Sequence, residues 1–407
     1  MATASGSQRQ ISHYPEATFG TGIFAAMKTD RFLAGARIYN DVDDITSDEL
    51  RSDRAVAPGS LGARHCKGTF PFELSVGSDA DSGFDDYIQS AMCSPWVPAA
   101  AAAAAQTVTV VAGSTNTMGA ASIGTGLAVG DWIKVSLFAG AVTSPPSTLG
   151  SNNGFFRVTA RAAALITLAE AVNADGTSRL YAGVSGATVV IQKMASIVAG
   201  TTRKGLSLEL AQPDVSVWQN AYGFIVNKMA LSVKQGAKIT GSFDGVGLSL
   251  SAPAGSKIRT GTDVPATTSA PITSYSSSSF LYLDGVPFAI ATSLDLSLDN
   301  GMEELMGVFQ AVANDILMGR SNLSGSITIA YTGSTYLAKA LANQHVALRV
   351  QMVGPDGSGY AIDIPNVRLK MPSEDTSENK VFHTYAWQAE KETSDTLLVN
   401  CKISKLV

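Results

Sequence analysis

Residues 224–251 read FIVNKMALSVKQGAKITGSFDGVGLSLS, and no other stretch restricts the fold as much. Met229, Leu231 and Val233 alternate with Ala230, Ser232 and Lys234. Successive side chains of a strand point to opposite faces, so this alternation gives one dry face and one wet face. Gln235-Gly236 supplies a turn, because glycine reaches positive φ without steric cost. Ile239, Gly241 and Phe243 share a face of the returning strand, with Lys238, Thr240, Ser242 and Asp244 on the other. The stretch reads as a long β-hairpin with no His, no Cys and a single acidic residue. It suits pairing and packing rather than chemistry.

A chain of 407 residues built around such an element implies two or three domains. Charged residues are only 15%, against the usual quarter or so, and glycines number 38. That balance fits an all-β protein with many turns and large buried or subunit-facing surfaces. A net charge of −5 and a pI near 5.4 argue against a protein that grips duplex nucleic acid, which needs a basic patch to displace counterions. They leave room for a surface that nucleic acid slides past, because like charges repel. Cys66, Cys93 and Cys401 are odd in number and have no paired spacing, so they read as buried thiols of a reducing compartment. Residues 1–16 contain no apolar signal segment. No apolar run reaches the ~18 residues of a membrane span; the Ala-rich run 97–111 is broken by Gln106 and Thr107. The expectation is a chain that is soluble until it assembles.

In chain order, residues 1–36 read as an arm with a turn at Phe19-Gly20-Thr21-Gly22, and 35–39 (GARIY) as a short strand. Residues 40–60 (NDVDDITSDELRSDRAVAPGS) carry much charge and no period, so they read as a long loop, solvated or ordered only on a partner. Residues 68–76 (GTFPFELSV) predict a strand. A helix capped by Asp81 or Ser82 follows, with Phe84, Tyr87, Ile88, Ala91 and Met92 on one face and Asp85, Asp86 and Gln89 on the other. The aspartates favour the first turn through the helix dipole; with no His beside them in sequence, an acid–base role has no support.

Residues 98–199 change texture: GDWIKVSL (130–137), FFRVTA (155–160), LITL (165–168) and ATVVIQK (187–193) are short strands separated by Gly, Asn and Pro clusters, with a hairpin turn at Asn152-Asn153-Gly154. They predict an inserted small β-barrel-like module whose ends lie close together, because strand texture resumes at 205–210. Trp132 and Phe138 read as module core rather than as a sugar platform. Residues 251–279 are a Ser/Thr/Pro/Gly linker or long surface loop. Strands return at 280–283 and 293–298, and 302–306 could hold a helical turn.

The second half repeats the order of the first. Strand 325–331 (GSITIAY) precedes a helix at 335–342, capped by Ser334 with Tyr336, Leu337, Ala340 and Leu341 inward. Strand 346–350 and the hairpin-like segments 360–371, 384–391 and 396–403 then match 205–210 and 222–250. A long irregular segment precedes the strand–helix unit each time, 40–64 and 300–322. The expected fold is all-β with two short flanking helices: two similar β-sandwich domains, an internal duplication, plus the inserted module. The boundaries are 1–97 with 200–250, then 98–199, linker 251–279, and 280–407.

Motifs for chemistry are missing. His13, His65, His345 and His383 form no HxxxH or HxH pattern, and no CxxC, GxSxG elbow or P-loop occurs. Adjacent His65 and Cys66 fall on opposite faces of a strand. GSFDGVG (241–247) lies inside the alternating strand and opens no helix, so it is no phosphate loop. The reading is of a non-enzymatic chain with no cofactor and no metal.

Several short motifs, in order, resemble the tail tube proteins of long-tailed, non-contractile bacteriophages. They are VKQGAKITGSFDGVGLS (233–249), LDLSLDNGMEELMGV (294–308), Met318-Gly319-Arg320, SGSITIAY (324–331) and IDIPNVRLKM (362–371). GDWIKVS and NNGFFRVTA resemble the outer decoration domain many members carry. The resemblance implies a structural virion protein, made in the host cytoplasm and resident in the tail. Its rings stack into a tube around a tape-measure protein, between tail terminator and distal tail proteins. DNA passes down the bore without specific binding, and no membrane is involved. It also implies that the long loop before the strand–helix unit docks on the next ring. Carried to 40–64 and 300–322, this makes Asp41, Asp43, Asp44, Asp48, Glu49, Arg51, Arg54, Glu303, Glu304 and Arg320 candidate inter-ring contacts. Two similar domains per chain favour rings of three chains over rings of six. The rival readings are a surface adhesin with a carbohydrate-binding module, which predicts clustered exposed aromatics, and a glycosidase, which needs a facing carboxylate pair. Aromatic residues are 7%, and no such pair stands out.

Overall fold

The structure, a computed structural model, describes residues 8–22, 25–48, 58–77, 83–111, 116–137, 153–169, 185–258, 261–275, 279–288, 290–377, 380–391 and 401–407. Strands dominate, with two α-helices among the described residues, Asp85–Met92 and Thr335–Leu341. The chain divides into two compact units. One holds residues 1–95, 200–271 and 295–325; the other holds 96–199, 272–294 and 326–407.

In the first unit the alternating stretch forms the strands Val217–Lys234 and Thr240–Gly247, paired antiparallel from Ser232↔Thr240 to Ile225↔Val246. Gly236 takes φ +77° in the turn between them. Thr240–Gly247 pairs in turn with Ser60–Glu73, and that strand with Arg37–Ile45. On the other side Val217–Lys234 pairs with Leu206–Gln212, which pairs with Gln10–Pro15. The predicted N-terminal arm is therefore partly a sheet strand. Residues 40–45, expected as loop, continue the Arg37–Ile45 strand. An outer strand is wet on both faces there, so it needs no apolar alternation.

The helix Asp85–Met92 packs the predicted face inward: Phe84, Tyr87, Ile88, Ala91 and Met92 are all buried. Its proposed caps, Asp81 and Ser82, lie outside the described residues. An aromatic layer joins helix to hairpin, with Phe72 stacked on Phe243 at 4.6 Å and Tyr87 on Phe243 at 5.3 Å. Phe224 lies across the facing pair Gly68 and Gly245. A Cβ at Gly245 would sit 2.5 Å from Phe224 Cζ and 2.4 Å from the Ile225 carbonyl oxygen. We expect Gly245→Val to cost about 3 kcal/mol in chemical denaturation, because neither ring nor backbone can retreat from a packed core.

Residues 251–258 and 261–271 lie along this unit as a strap. Ala254 bridges Trp218, Val264 bridges Lys28, and Arg31 Nη1 donates to the carbonyls of Thr267 and Ser269 at 2.8 Å each. Residues 302–306 are not helical. Glu303–Leu305 pairs with Asp315–Leu317 as a small hairpin, because Met302 and Ile316 bury together with Cys93 and Ile225. Cys66, Cys93 and Cys401 are free, buried thiols, and burial pushes their pKa values up, to about 12, 11 and 12.

The second unit contains a closed barrel of the strands Gln106–Val111, Thr117–Gly119, Leu165–Ala169, Gly154–Ala162, Trp132–Ser136 and Ser185–Lys193. The first two were hidden from the sequence reading by the alanine run and by their shortness. Ile133, Val135, Phe156, Val158, Ile166 and Leu168 fill its interior. The module's ends meet, since Val97 pairs with Ser196. Trp132 is buried, but outside the barrel interior: it packs with Phe155, Met194, Val353, Ala361 and Leu406. Phe138 and Asn152 lie outside the described residues.

Beside the barrel, Phe280–Leu283, His345–Val353, Gly359–Leu369, Lys402–Leu406 and Ala195–Val198 form successive antiparallel neighbours. Gly359–Leu369 also pairs with Lys380–Ala389, which carries Ser373–Ser377. The helix Thr335–Leu341 departs from expectation. None of its residues is fully buried, Ser334 makes no side-chain cap, and Leu341 is exposed. Only Tyr336 finds an aromatic partner, edge-on to Phe288 at 5.4 Å. Its apolar spacing is too short for a continuous buried stripe.

Candidate functional site

The candidate contacts from the two irregular segments converge within the first unit. Thr240–Gly247 ends opposite Cys66, while Arg37–Ile45 and Ser60–Glu73 stay paired to Ile45↔Ser60. The two strands therefore leave the sheet as a free ribbon, on which Asp41, Val42, Asp43, Asp44 and Ile45 are all exposed. Leu61, opposite Asp44, is 73% exposed. Beside the ribbon stands the hairpin Glu303–Leu305/Asp315–Leu317, whose turn carries Val308 at 81% and Phe309 at 102% exposure. Phe309 has φ +67°, a conformation that a bulky side chain avoids unless held. Arg203 holds the base of this hairpin, ion-paired to Asp315 and lying 4.7 Å over the Phe19 ring.

His65 fastens hairpin to ribbon. Its Nδ1 bonds Glu304, its Nε2 faces Asp43 Oδ2 at 3.4 Å, and the Arg64 amide donates to the Ala311 carbonyl at 2.8 Å. The hydrogen bond to Glu304 outweighs desolvation and raises the His65 pKa. His65 thus keeps its proton to higher pH than a free imidazole, and this clasp weakens as pH climbs through the raised value. Lys67 Nζ donates to Asp41 Oδ2 at 2.6 Å, which holds the Asp41 pKa low.

Of the sequence candidates, Asp41, Asp43, Asp44 and Glu304 gather on or beside the ribbon. Asp48 is exposed beyond its end, Glu303 is exposed on the hairpin, and Arg320 is exposed at the hairpin's base near Gly301. Glu49, Arg51 and Arg54 lie outside the described residues. Leu61 and Phe309 were not singled out from sequence, and His65 was noted only as a neighbour of Cys66. An apolar pair inside a turn, Val308-Phe309, was the available signal.

A second charged cluster overturns one premise. Asp86, placed on the outer helix face by periodicity, is buried, and a histidine does accompany it. His13 is fully buried, with Nδ1 2.8 Å from Asp30 Oδ1 and Nε2 3.0 Å from Asp86 Oδ2. Lys28 Nζ also bonds Asp86, and the Tyr87 hydroxyl donates to Asp30 at 2.8 Å. Burial opposes the charge on His13, but the two carboxylates outweigh it and lift its pKa to about 9. Burial likewise opposes ionisation of Asp86, yet His13 and Lys28 hold its pKa low. The imidazole is fully buried and bonds both carboxylates, so the cluster ties the N-terminal strand to the helix. Among the described residues no group of His, Cys, Asp and Glu has the geometry of a metal site, and no helix is long and apolar enough to cross a membrane.

No curated protein sequence matches the chain. A family model described as phage tail tube protein matches residues 6–389. That span takes in most of both units, with the barrel, the ribbon and the hairpin, and ends before the strand Lys402–Leu406. With an all-β fold of large antiparallel sheets, and with two exposed projections where the sequence reading placed contacts between subunits, this chain belongs to the phage tail tube protein family, a structural component of the virion tail.

Proposed function

We propose that copies of this chain close into rings, and that the rings stack into the tube of a long, non-contractile tail through which DNA is ejected. The tube encloses a tape-measure protein and ends on tail terminator and distal tail proteins. The observation that carries this reading is the ribbon 41–45/60–65. It extends beyond its own sheet and presents apolar and acidic side chains to solvent. A lone monomer gains nothing from such a projection, whereas a stacked ring needs one. Net charge −5 suits a conduit that DNA must traverse without sticking.

The order strand, helix, strand, long strand recurs as Asn322–Ala330, Thr335–Leu341, His345–Val353 and Gly359–Leu369, after Ser60–Glu73, Asp85–Met92, Leu206–Gln212 and Val217–Lys234. This supports two duplicated sandwich domains, with the barrel as an inserted outer module, and hence rings of three chains rather than six. A class average of the tube end decides between them. Deleting residues 43–54 should leave a folded, soluble monomer that forms no tubes; normal tubes from that variant would sink the proposal. Trp132 is 2% exposed, which counts against a sugar platform at that residue; Phe138 lies outside the described residues.

A further inference from the structure

We infer that the strand Lys402–Leu406 is a detachable ligand of the second unit, and that the slot it fills is a binding site for an extended peptide of the same sequence. This goes beyond the tube reading and does not depend on it.

The strand lies beyond residue 389, where the family match ends, yet it is not an edge. It pairs antiparallel with Ala195–Val198 on one side and with residues 359–363 on the other. Both walls of this slot have other partners. Ala195–Val198 is tied to Val97 through two backbone hydrogen bonds between Val97 and Ser196, at 2.8 and 3.0 Å. Gly359–Leu369 pairs with His345–Val353 along its length and with Lys380–Ala389 at its far end. Asp363, on that wall, bonds Trp132 of the barrel, a link that makes no use of the strand. With the strand gone, both walls stay fastened, about 9–10 Å apart, which is two strand spacings. No buried charge is orphaned either. Asp131, which the strand contacts through Lys402, keeps Lys193 at 2.8 Å and the Ala128 amide at 2.8 Å.

The slot recognises the strand on both faces. Side chains alternate, so Lys402, Ser404 and Leu406 share the face toward the barrel. Lys402 Nζ donates to the Gly130 carbonyl at 2.9 Å and to Asp131 Oδ1 at 3.0 Å. Leu406 packs with Trp132, Phe155 and Met194. On the opposite face Ile403 stands in register between Ile197 and Ile362, and all three are buried. Main-chain pairing supplies affinity in such strand addition, and the alternate side chains supply choice. Ser404 is the misfit. It is wholly buried and its hydroxyl has no hydrogen-bond partner. In the same row, across Ala361, Gln351 Oε1 is buried without a partner as well. An unpaired buried hydroxyl weakens docking, and an alanine there would not. The strand is thus anchored at Lys402, Ile403 and Leu406 and loosened at its centre, which suits a segment that leaves and returns.

Hydrogen exchange on the unaltered full chain is the first test. Amides of residues 402–406 should exchange about tenfold faster, or more, than those of 346–352 and 133–135, through an opening smaller than global unfolding. Equal rates would overturn the inference, because the strand would then leave only when the whole unit unfolds. The second test uses the full chain carrying Ile403→Asp with Leu406→Asp, which empties the slot. This variant should stay folded and bind a labelled synthetic peptide of residues 402–407, followed by fluorescence anisotropy. The native chain, whose slot is filled, should bind the same peptide about a hundredfold more weakly. A peptide with Ser404→Ala should bind the variant about tenfold more tightly, and one with Lys402→Glu should not bind. A variant that unfolds would mean that the walls lean on the strand. A folded variant that ignores the native peptide, or binds the Lys402→Glu peptide equally well, would mean that the slot is no site. Each of these results overturns the inference.

Discussion

His13→Ala should lower the unfolding free energy of the chain by about 3–5 kcal/mol, the usual cost of removing one partner from a buried ion pair. Without the imidazole, Asp30 and Asp86 remain buried and lose their shared cationic partner, while Lys28 and Gln89 still bond Asp86 and Tyr87 still bonds Asp30. Denaturant titration gives the total. Hydrogen exchange gives the location, because the Gln10–Pro15 strand, which carries His13, should lose protection before the hairpin strands do. The same cluster sets a pH window. His13 rises from 6.5 to about 9 on folding, so its contribution is complete below pH 6.5 and disappears as pH climbs through about 9. Such a shift corresponds to roughly 3 kcal/mol. Asp86 is depressed from 3.8, so its contribution is complete above that value and fades as pH falls below it. Native stability should peak between about pH 4 and 6.5, and His13→Ala should flatten the alkaline limb of the curve.

Asp363→Ala should have a comparable effect in the second unit, again about 3–5 kcal/mol, with a different readout. Asp363 Oδ2 accepts from Trp132 Nε1 at 2.7 Å, and its Oδ1 faces Arg157 Nε at 3.3 Å and Arg349 Nε at 3.5 Å. The two arginine contacts are ionic rather than well-aligned hydrogen bonds. Trp132 and Arg157 come from the barrel, whereas Arg349 and Asp363 come from neighbouring sheet strands. This carboxylate therefore ties the barrel to the sheet. Removing it should shift Trp132 fluorescence to the red and expose the barrel's connections to limited proteolysis. Lys193 and Lys402, both on Asp131 at 2.8 and 3.0 Å, form a second clasp that should keep the chain folded while the first is tested.

Much of this was legible in the sequence, and the misses share a cause. The alternation from Met229 to Phe243 reports a face that must be dry, and that is a local fact. Helical spacing placed Tyr87 and Ile88 inward for the same reason. It placed Asp86 outward because periodicity cannot see a histidine 73 residues away in the chain. The ribbon was misread because an edge beyond the sheet has no buried face, so Asp41, Asp43 and Asp44 cost nothing there and mask the strand. The hairpin at Glu303–Leu305 was missed because what fixes it, Met302 beside Ile316, Cys93 and Ile225, is tertiary. The second helix was credited with a buried face on spacing alone, but seven residues give too little stripe to bury.

The sulfur chemistry has a consequence for the assembled particle. Phage tails are built in one redox climate and survive in another, where dissolved oxygen and peroxides attack thiolates. Burial raises the pKa of Cys66, Cys93 and Cys401 to about 12, 11 and 12, which keeps them as thiols rather than the reactive thiolates at neutral pH. In a tube built as proposed, none of these three cysteines presents an exposed thiol to the outside.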